Sequence, residues 1–188
     1  MTVCKIAVVG MSCLFPGASS TEAFWEVLKS GKDCREKALD SDFGFNVNSC
    51  YSEQPATNKI HCLKGGFIRD FHFNSEGYKL EPDFLEQLDD VFKWPLHVAT
   101  DALIDAGLWK GCETLESAGV IMGNYAFPTR LSNKLALPIW YQKIREHLGQ
   151  HLQMDLPALD EENELPNGYN RFVCGMPTSI VAQACGMK

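Results

Sequence analysis

The sequence predicts an α/β protein, because short apolar runs typical of buried strands are separated by stretches with helical periodicity. Residues 4–9 are almost continuously apolar and rich in valine and isoleucine, which is typical of a strand covered on both faces in a parallel or mixed sheet. Residues 118–122 predict a second short buried strand, closed by Gly123. No internal repeat or low-complexity segment is visible, so we expect one layered α/β domain.

The first predicted helix follows the strand at residues 4–9. Residues 19–22 contain the Ser-x-x-Glu pattern of a capping box, which marks a helix start. Phe24, Val27 and Leu28 then share one face, which predicts that this face packs on the core. Gly31 is suited to the left-handed position that follows a helix.

A long one-faced helix is predicted between Asp83 and Ala106, and Gly107 ends it. Its apolar positions recur every three or four residues: Leu85, Leu88, Phe92, Leu96, Ala99, Leu103 and Ala106. Pro95 lies in the middle of this pattern, where it removes a backbone donor and clashes with the preceding turn. We therefore expect a kink or a split into two helices at Pro95.

Two further helices are predicted in the second half of the chain. The first covers residues 138–148, and its expected inner face consists of Ile139, Trp140, Ile144 and Leu148. The second begins at Pro177, stops at Gly186, and is expected to bury Ile180, Val181 and Ala184. Residues 32–63 and 155–170 are predicted to be loops because they are rich in polar residues and broken by proline.

Composition excludes some classes of function. The 188 residues carry a net charge of −7 and have no cluster of Lys and Arg, so we expect no nucleic-acid partner. Their apolar runs are far shorter than the roughly 20 residues that a membrane-spanning helix requires. The first residues lack the pattern of a secretion signal, so we expect a cytoplasmic protein.

The cysteines are dispersed along the chain. None of the eight belongs to a Cys-x-x-Cys pair, so neither a zinc site nor a disulfide framework is indicated. We interpret them as reduced, small buried hydrophobic residues. Cys13 would act as a nucleophile only if a helix N-terminus and a histidine lowered its pKa, and no sequence feature specifies that histidine. A structural role is therefore the favoured interpretation.

The stretch VVGMSCLFPG at residues 8–17 raises the question of a nucleotide-binding loop. A dinucleotide site requires G-x-G-x-x-G, whereas here Gly10 and Gly17 flank a segment containing the bulky Leu14 and Phe15. No Gly-Lys-Ser/Thr follows, so a Walker loop is excluded as well. The glycine pattern thus argues against a nucleotide-binding protein.

Other candidate groups have simpler interpretations. His147 and His151 have the spacing of two metal ligands one helical turn apart, but no third ligand is specified and a solvated pair is favoured. The acidic runs at 89–90 and 160–162 are expected to be surface charges, because neighbours in sequence do not demonstrate convergent carboxylates. Trp94, Leu96, Trp140 and Tyr141 are candidates for lining an acyl channel, although core packing is the favoured interpretation.

Five segments resemble, in order, the N-terminal part of β-ketoacyl synthase domains, the condensing enzymes of fatty-acid and polyketide assembly. They are residues 6–18 (IAVVGMSCLFPGA), 24–31, 65–68 (GGFI), 97–108 (HVATDALIDAGL) and 118–123 (AGVIMG). The first of these is specific to modular and iterative synthases. The resemblance covers nearly the whole chain and is weakest at residues 32–63 and 150–170.

One departure from the common pattern indicates a branch of the family. Residues 88–94 (LDDVFKW) differ from the Met-Asp-Pro-Gln-Gln-Arg version of most modular polyketide synthases. With residues 124–130 and the insertion after them, they look more like the polyunsaturated-fatty-acid and glycolipid synthases. We therefore expect residues 1–188 to be a partial N-terminal ketosynthase domain that contains a family-variable insertion at 124–171.

The resemblance implies a thiolase-like fold of two similar α/β halves in five layers, usually as a homodimer. It also implies that a cysteine takes an acyl chain from an acyl carrier protein, because a thiolate is nucleophilic near neutral pH. Two histidines then assist decarboxylation of a malonyl extender, and the carbanion attacks the thioester to give a β-ketoacyl product. No cofactor or metal is implied.

The resemblance assigns no catalytic, cofactor-binding or metal-binding residue to this chain. The family's Thr-Ala-Cys-Ser motif is expected shortly after the equivalent of residues 186–188, and its histidines lie farther on. Cys13 and Cys185 match neither. We therefore expect a chain truncated before the nucleophile and inactive alone. The alternative is a noncatalytic module that binds a carrier protein or pairs with a complementary part of a synthase.

Overall fold

The computed structural model describes residues 5–110, 113–125, 127–159 and 165–187. Six α-helices and two short strands lie in these ranges, together with 3₁₀ turns at Val47–Cys50, Glu113–Ser117 and Gly168–Arg171. The helices are α1 (Thr21–Ser30), α2 (Asp40–Phe43), α3 (Pro82–Glu86), α4 (Asp90–Asp105), α5 (Arg130–Leu152) and α6 (Met176–Cys185), and the strands are β1 (Glu36–Lys37) and β2 (Lys64–Gly65).

The contacts divide the chain into two compact units. Unit 1 contains Met1–Asn74 and His97–Cys112, and unit 2 contains Ser75–Leu96 and Glu113–Lys188. Helix α4 contributes its first half to unit 2 and its second half to unit 1.

Unit 1 contains the sheet of the described residues, in which β1 and β2 pair antiparallel with Glu36 opposite Gly65. Arg69 joins the surrounding segments: its guanidinium donates to the Asp42 carboxylate at 2.6 and 3.1 Å and to the Lys37 carbonyl at 2.8 Å. It also pairs with Glu36. Residues 32–63 are thus largely irregular, as predicted, but a charged side chain holds them to the segment that follows β2.

The two predicted core strands are not strands in the described residues. Residues 5–9 make no sheet hydrogen bond, and Ile6 and Val8 are 92% and 81% exposed. Residues 118–122 are also unpaired, and Ile121 is fully exposed. The prediction that both runs are covered is wrong for this chain, because no described segment lies beside them to accept their apolar side chains.

Unit 2 has a core built from α3, α4 and α6. Leu85, Leu88, Phe92 and Leu96 are at most 2% exposed, as the periodicity from 83 to 106 predicts. In α6, Ile180, Val181 and Ala184 are equally buried, and Gly186 ends the helix in the left-handed conformation at φ 75°. The predictions for α6 are therefore confirmed, apart from a start one residue earlier, at Met176.

The break in the long predicted helix lies at residues 87–89, between α3 and α4, rather than at Pro95. Helix α4 begins at Asp90, so Pro95 lies in its second turn and the helix continues through it. The Asp89 carbonyl accepts from the amides of Phe92 (2.9 Å) and Lys93 (3.3 Å), which completes the first turn before the proline. Of the two outcomes predicted at Pro95, a kink or a split, the split is wrong, because the helix is interrupted earlier, at residues 87–89.

Helix α5 is longer than predicted and differently buried. It begins at Arg130 with Thr129 as its N-cap, and Pro138 lies inside it. The expected inner face is largely exposed, since Ile139, Trp140 and Ile144 are 57%, 67% and 52% accessible. Leu135 is the buried residue of its first half. The predicted face fails because it has no packing partner in the described residues.

Helix α1, like α5, leaves part of its predicted core face exposed. Ser20, rather than Ser19, caps it by accepting from the Ala23 amide at 3.2 Å, and Gly31 adopts φ 63° at its end. Phe24 and Val27 are half-buried, whereas Leu28 is exposed. The helix is thus predicted correctly and its core face only in part.

Candidate functional site

The opening stretch at residues 10–18 forms a tight turn within unit 1. Phe15 and Ala18 exchange backbone hydrogen bonds at 2.7 and 2.9 Å around Pro16 and Gly17, and Gly17 has φ 75°. Proline followed by a left-handed glycine is the pattern of a type II turn. The Phe15 ring packs on Phe24 with centroids 4.6 Å apart, so the turn fixes the approach to α1.

At Gly10 and Gly66 the backbone lies so close to neighbouring atoms that only glycine fits. A side chain at Gly10 would overlap the carbonyl oxygen of Ala102 on α4 and the Cβ of Ala106 just after the helix, and one at Gly66 would meet Pro16 at 2.8 Å. The backbone therefore lies directly against helix α4 at Gly10, which leaves no room there for a ligand.

This turn is not a phosphate cradle. The Met11 amide, the first donor after Gly10, donates to the Asp105 carboxylate at 2.9 Å. An anion at this position would lose that donor and face a negative charge. The structure thus agrees with the glycine spacing in arguing against nucleotide binding.

Cys13 lies half-buried in the same turn. Burial and, to a smaller extent, the nearby Glu22 carboxylate raise the pKa of the Cys13 thiol. A reactive cysteine requires the opposite shift, toward the thiolate. The environment of Cys13 therefore favours an inert thiol.

The other described cysteines differ in burial. Cys185, at the end of α6, is buried, whereas Cys62 and Cys174 are exposed and Cys34 and Cys50 are intermediate. None of the six described cysteines forms a disulfide, but the expectation that they are buried hydrophobic residues holds only for Cys185. Cys34 packs directly against the turn at Gly17, because a side chain at Gly17 would meet the Cys34 sulfur at 2.7 Å. Cys4 and Cys112 lie outside the described residues.

Asn170 is a fully buried polar residue that sequence reasoning missed. Its side-chain oxygen accepts from the Asp89 amide at 2.8 Å, and its side-chain nitrogen donates to the carbonyls of Gln87 (3.0 Å) and Asn167 (2.9 Å). It thereby provides hydrogen-bond partners for the partly buried backbone between α3 and α4. The signal in the sequence is weak, because Asn170 lies within a run of polar residues that predicts a loop.

Asp89 continues this network to α5. Its carboxylate accepts from the Leu131 amide at 3.0 Å and so caps the first turn of that helix. Asp90 differs: loss of hydration and the neighbouring Asp89 charge raise the pKa of Asp90, while Lys93 and Arg130 oppose the shift. The prediction that both are plain surface charges is wrong for Asp89, which has a structural role. The second acidic run, at residues 160–162, lies outside the described residues.

The aromatic candidates do not form one channel. Leu96 is completely buried and Trp94 half-buried in α4, while Trp140 is 67% exposed and Tyr141 donates its hydroxyl to the Pro157 carbonyl at 2.8 Å. Core packing therefore describes Leu96 and not Trp140. His147 and His151 lie on the exposed side of α5, with ring centroids 4.4 Å apart.

The structure thus brings together packing and capping groups rather than a reactive cluster, and among its described residues no three metal-ligating side chains converge. Within the same ranges, the helices are too short or too polar to cross a bilayer. The structural features that can be compared with those of known families are the turn at residues 10–18 against α4 and the arrangement of α3, α4 and α6.

Comparison with known families identifies the class of this fold. The sequence profile of the beta-ketoacyl synthase N-terminal domain matches residues 4–151. The chain therefore belongs to the beta-ketoacyl synthase family, and the resemblance carried by the motifs at residues 6–18 and 97–123 is confirmed.

Two curated relatives are similar to part of this chain. One of the polyunsaturated fatty acid synthase proteins of Thraustochytrium sp. is 28% identical over 120 residues, which are 63% of this chain and 4% of that protein. Citrinin polyketide synthase of Monascus ruber is 29% identical over 120 residues, with the same two shares. This chain thus spans a small part of the curated relatives that it matches.

Solved structures show the fold. A structure described as PfaC keto synthase–chain length factor superposes with a TM-score of 0.84 and is 38% identical, covering 96% of this chain and 20% of that one. The ketosynthase domain OzmH KS7 of oxazolomycin biosynthesis in Streptomyces albus JA3453 has a TM-score of 0.58 at 21% identity, covering 83% and 28%. The predicted fold class, part of a thiolase-like ketosynthase, is confirmed.

Proposed function

We propose that this chain supplies the N-terminal part of a β-ketoacyl-acyl-carrier-protein synthase. The observation that carries the proposal is the superposition of nearly the whole chain on a keto synthase–chain length factor structure at 38% identity. The reaction is a decarboxylative condensation: a cysteine thioester holds the growing acyl chain, and the carbanion left by malonyl decarboxylation attacks its carbonyl carbon. The new carbon–carbon bond forms as the thiolate leaves.

The role of this chain in that reaction is to build the scaffold. We propose that residues 5–9 and 118–123 are strands of the synthase sheet, paired with segments other than those described. Their support is the exposure of Ile6, Val8 and Ile121, since aliphatic side chains at this density are otherwise covered. Residues 124–171 remain a predicted insertion, of which α5 is the main element.

The nucleophile is proposed to be none of the eight cysteines. Among the described ones, the shift of Cys13 away from the thiolate and the burial of Cys185 support this assignment. The partner is proposed to be an acyl carrier protein, whose phosphopantetheine arm presents acyl and malonyl thioesters. Homodimer formation and a cytoplasmic location complete the proposal by family resemblance, and the comparisons favour a synthase over a noncatalytic binding module.

The test is acyl transfer followed by mass spectrometry. The purified chain and the protein that carries it are each incubated with an acyl thioester, and the modified cysteine is located by peptide mapping. We expect the carrying protein to become acylated on one cysteine and to release CO₂ from malonyl-carrier protein, while the chain alone stays unmodified. Stoichiometric acylation of any cysteine from Cys4 to Cys185 would overturn the proposal.

A further inference from the structure

Two histidine side chains face each other on α5, outside every role described so far. His147 and His151 are one helical turn apart, both are exposed, and their ring centroids are 4.4 Å apart with an angle of 48° between the planes. Within the described ranges, neither imidazole makes a hydrogen bond or an ion pair with another group. Both rings therefore have nitrogen lone pairs open to solvent.

The spacing of the rings fits one shared metal ion. With metal–nitrogen bonds of about 2.1 Å, the metal lies about 3.2 Å from each ring centroid, so a 90° angle at the metal places the centroids about 4.5 Å apart. A tetrahedral angle would place them about 5.2 Å apart. The observed 4.4 Å is close to the first of these distances, and imidazole pairs one helical turn apart suit Cu²⁺ and Ni²⁺ as nitrogen ligands.

The surroundings of the pair also favour a cation. His151 lies in the last turn of α5, where the negative end of the helix dipole lies. The nearby cations are neutralised: Lys143 pairs with Glu146 at 3.2 Å and Arg145 with Asp155 at 3.6 Å. The positive charges closest along the helix are thus compensated before a metal ion arrives.

We propose that His147 and His151 form a surface site for one divalent transition-metal ion of the Cu²⁺ and Ni²⁺ type, with water completing its coordination. The ion bridges two successive turns across Gly149, a residue that weakens a helix interior, and so stabilises the C-terminal end of α5. This site is independent of the condensation reaction, which uses no metal in the proposed mechanism.

Calorimetric titration with Ni²⁺ tests the site, using the protein that carries this chain, purified without a histidine tag in a weakly coordinating buffer. We expect one equivalent of Ni²⁺ that is lost in both His147→Ala and His151→Ala. Because the second imidazole binds intramolecularly, removal of either is expected to weaken this equivalent by about 100-fold or more.

Two controls make the result specific. His61→Ala removes an exposed histidine elsewhere and is expected to bind Ni²⁺ as the parent does. The exchange variant H151L/L152H keeps the composition but moves the second imidazole to another side of α5, and is expected to lose the equivalent. Circular dichroism verifies that each variant is folded. Parent-like binding by the folded exchange variant, or no equivalent in the parent, would overturn the proposal.

Discussion

The faces predicted to be buried in α6 and in residues 138–148 of α5 both place apolar residues three or four positions apart, yet they have opposite environments. In α6, Ile180 and Val181 are at most 2% exposed, whereas in α5 Trp140 and Ile144 are 67% and 52% exposed. Periodicity identifies which residues share a face because it reflects helix geometry. It does not show whether another element covers that face, since this depends on partners distant in sequence.

Helix α5 itself contains both situations. Its first half is anchored in unit 2, where Leu135 is buried and the Leu131 amide donates to Asp89. In its second half, Ile144 and Leu152 are exposed. The boundary between covered and uncovered faces thus lies within one helix, near Pro138.

The largest expected effect comes from truncating a matched pair of isoleucines. Ile180→Ala in α6 is expected to lower the free energy of unfolding by about 2–5 kcal/mol, because it removes buried methyl groups and leaves a cavity. Ile144→Ala in α5 is expected to change it by less than about 0.5 kcal/mol. Urea unfolding followed by circular dichroism measures both.

The outcome also reports on what covers α5. If Ile144→Ala destabilises the protein as strongly as Ile180→Ala, the exposed face of α5 is packed against another element. Equal and small effects of both variants would contradict the core assigned to α6.

A smaller effect is expected at the polar anchor of unit 2. Asn170→Ala leaves the Asp89 amide and the carbonyls of Gln87 and Asn167 without their partner, which is expected to cost about 1–3 kcal/mol. Asn133→Ala, on the exposed surface of α5, is the matched control and is expected to remain within about 0.5 kcal/mol of the parent. Thermal melts that shift equally for the two variants would contradict a structural role for Asn170.

The core helices could be predicted from the sequence because their information is local. The recurring leucines of residues 85–96 specify a buried face, although not the break at residues 87–89, and the Pro177 and Gly186 boundaries specify α6. The strands predicted at 4–9 and 118–122 are not formed in the described residues, because a strand exists only through a hydrogen-bonded neighbour and that neighbour is nonlocal.

The candidate site shows the same limit. The glycine spacing at residues 10–17 was enough to argue against a phosphate site, since the bulky residues there are visible in the sequence. The Asp105 carboxylate on the Met11 amide and the Asn170 network were not predictable, because each joins residues about 80 or more positions apart.

The smallest expected effects come from two carboxylates, Asp42 and Asp90, whose pKa values are shifted in opposite directions. Hydrogen bonds from Arg69 hold the pKa of Asp42 below its ordinary value, so its stabilisation is complete above the pKa of the unfolded chain, about 4, and is lost as the pH falls below it. Desolvation and Asp89 instead raise the pKa of Asp90, so protonation favours the fold there and this contribution is lost as the pH rises through the raised pKa.

The two carboxylates therefore predict opposite shifts from conservative variants. At neutral pH, Asp42→Asn is expected to destabilise the protein and Asp90→Asn to stabilise it slightly, because the first removes an attraction and the second a repulsion. Both differences from the parent should shrink as the pH falls toward 3, because the unfolded chain then binds protons at both carboxyls and the folded chain binds one at Asp90 as well. Urea midpoints measured from pH 3 to 7 test this convergence. Shifts of the same sign for both variants at pH 7 would mean that Asp90, like Asp42, is held by a favourable charge, and that Lys93 and Arg130 outweigh Asp89.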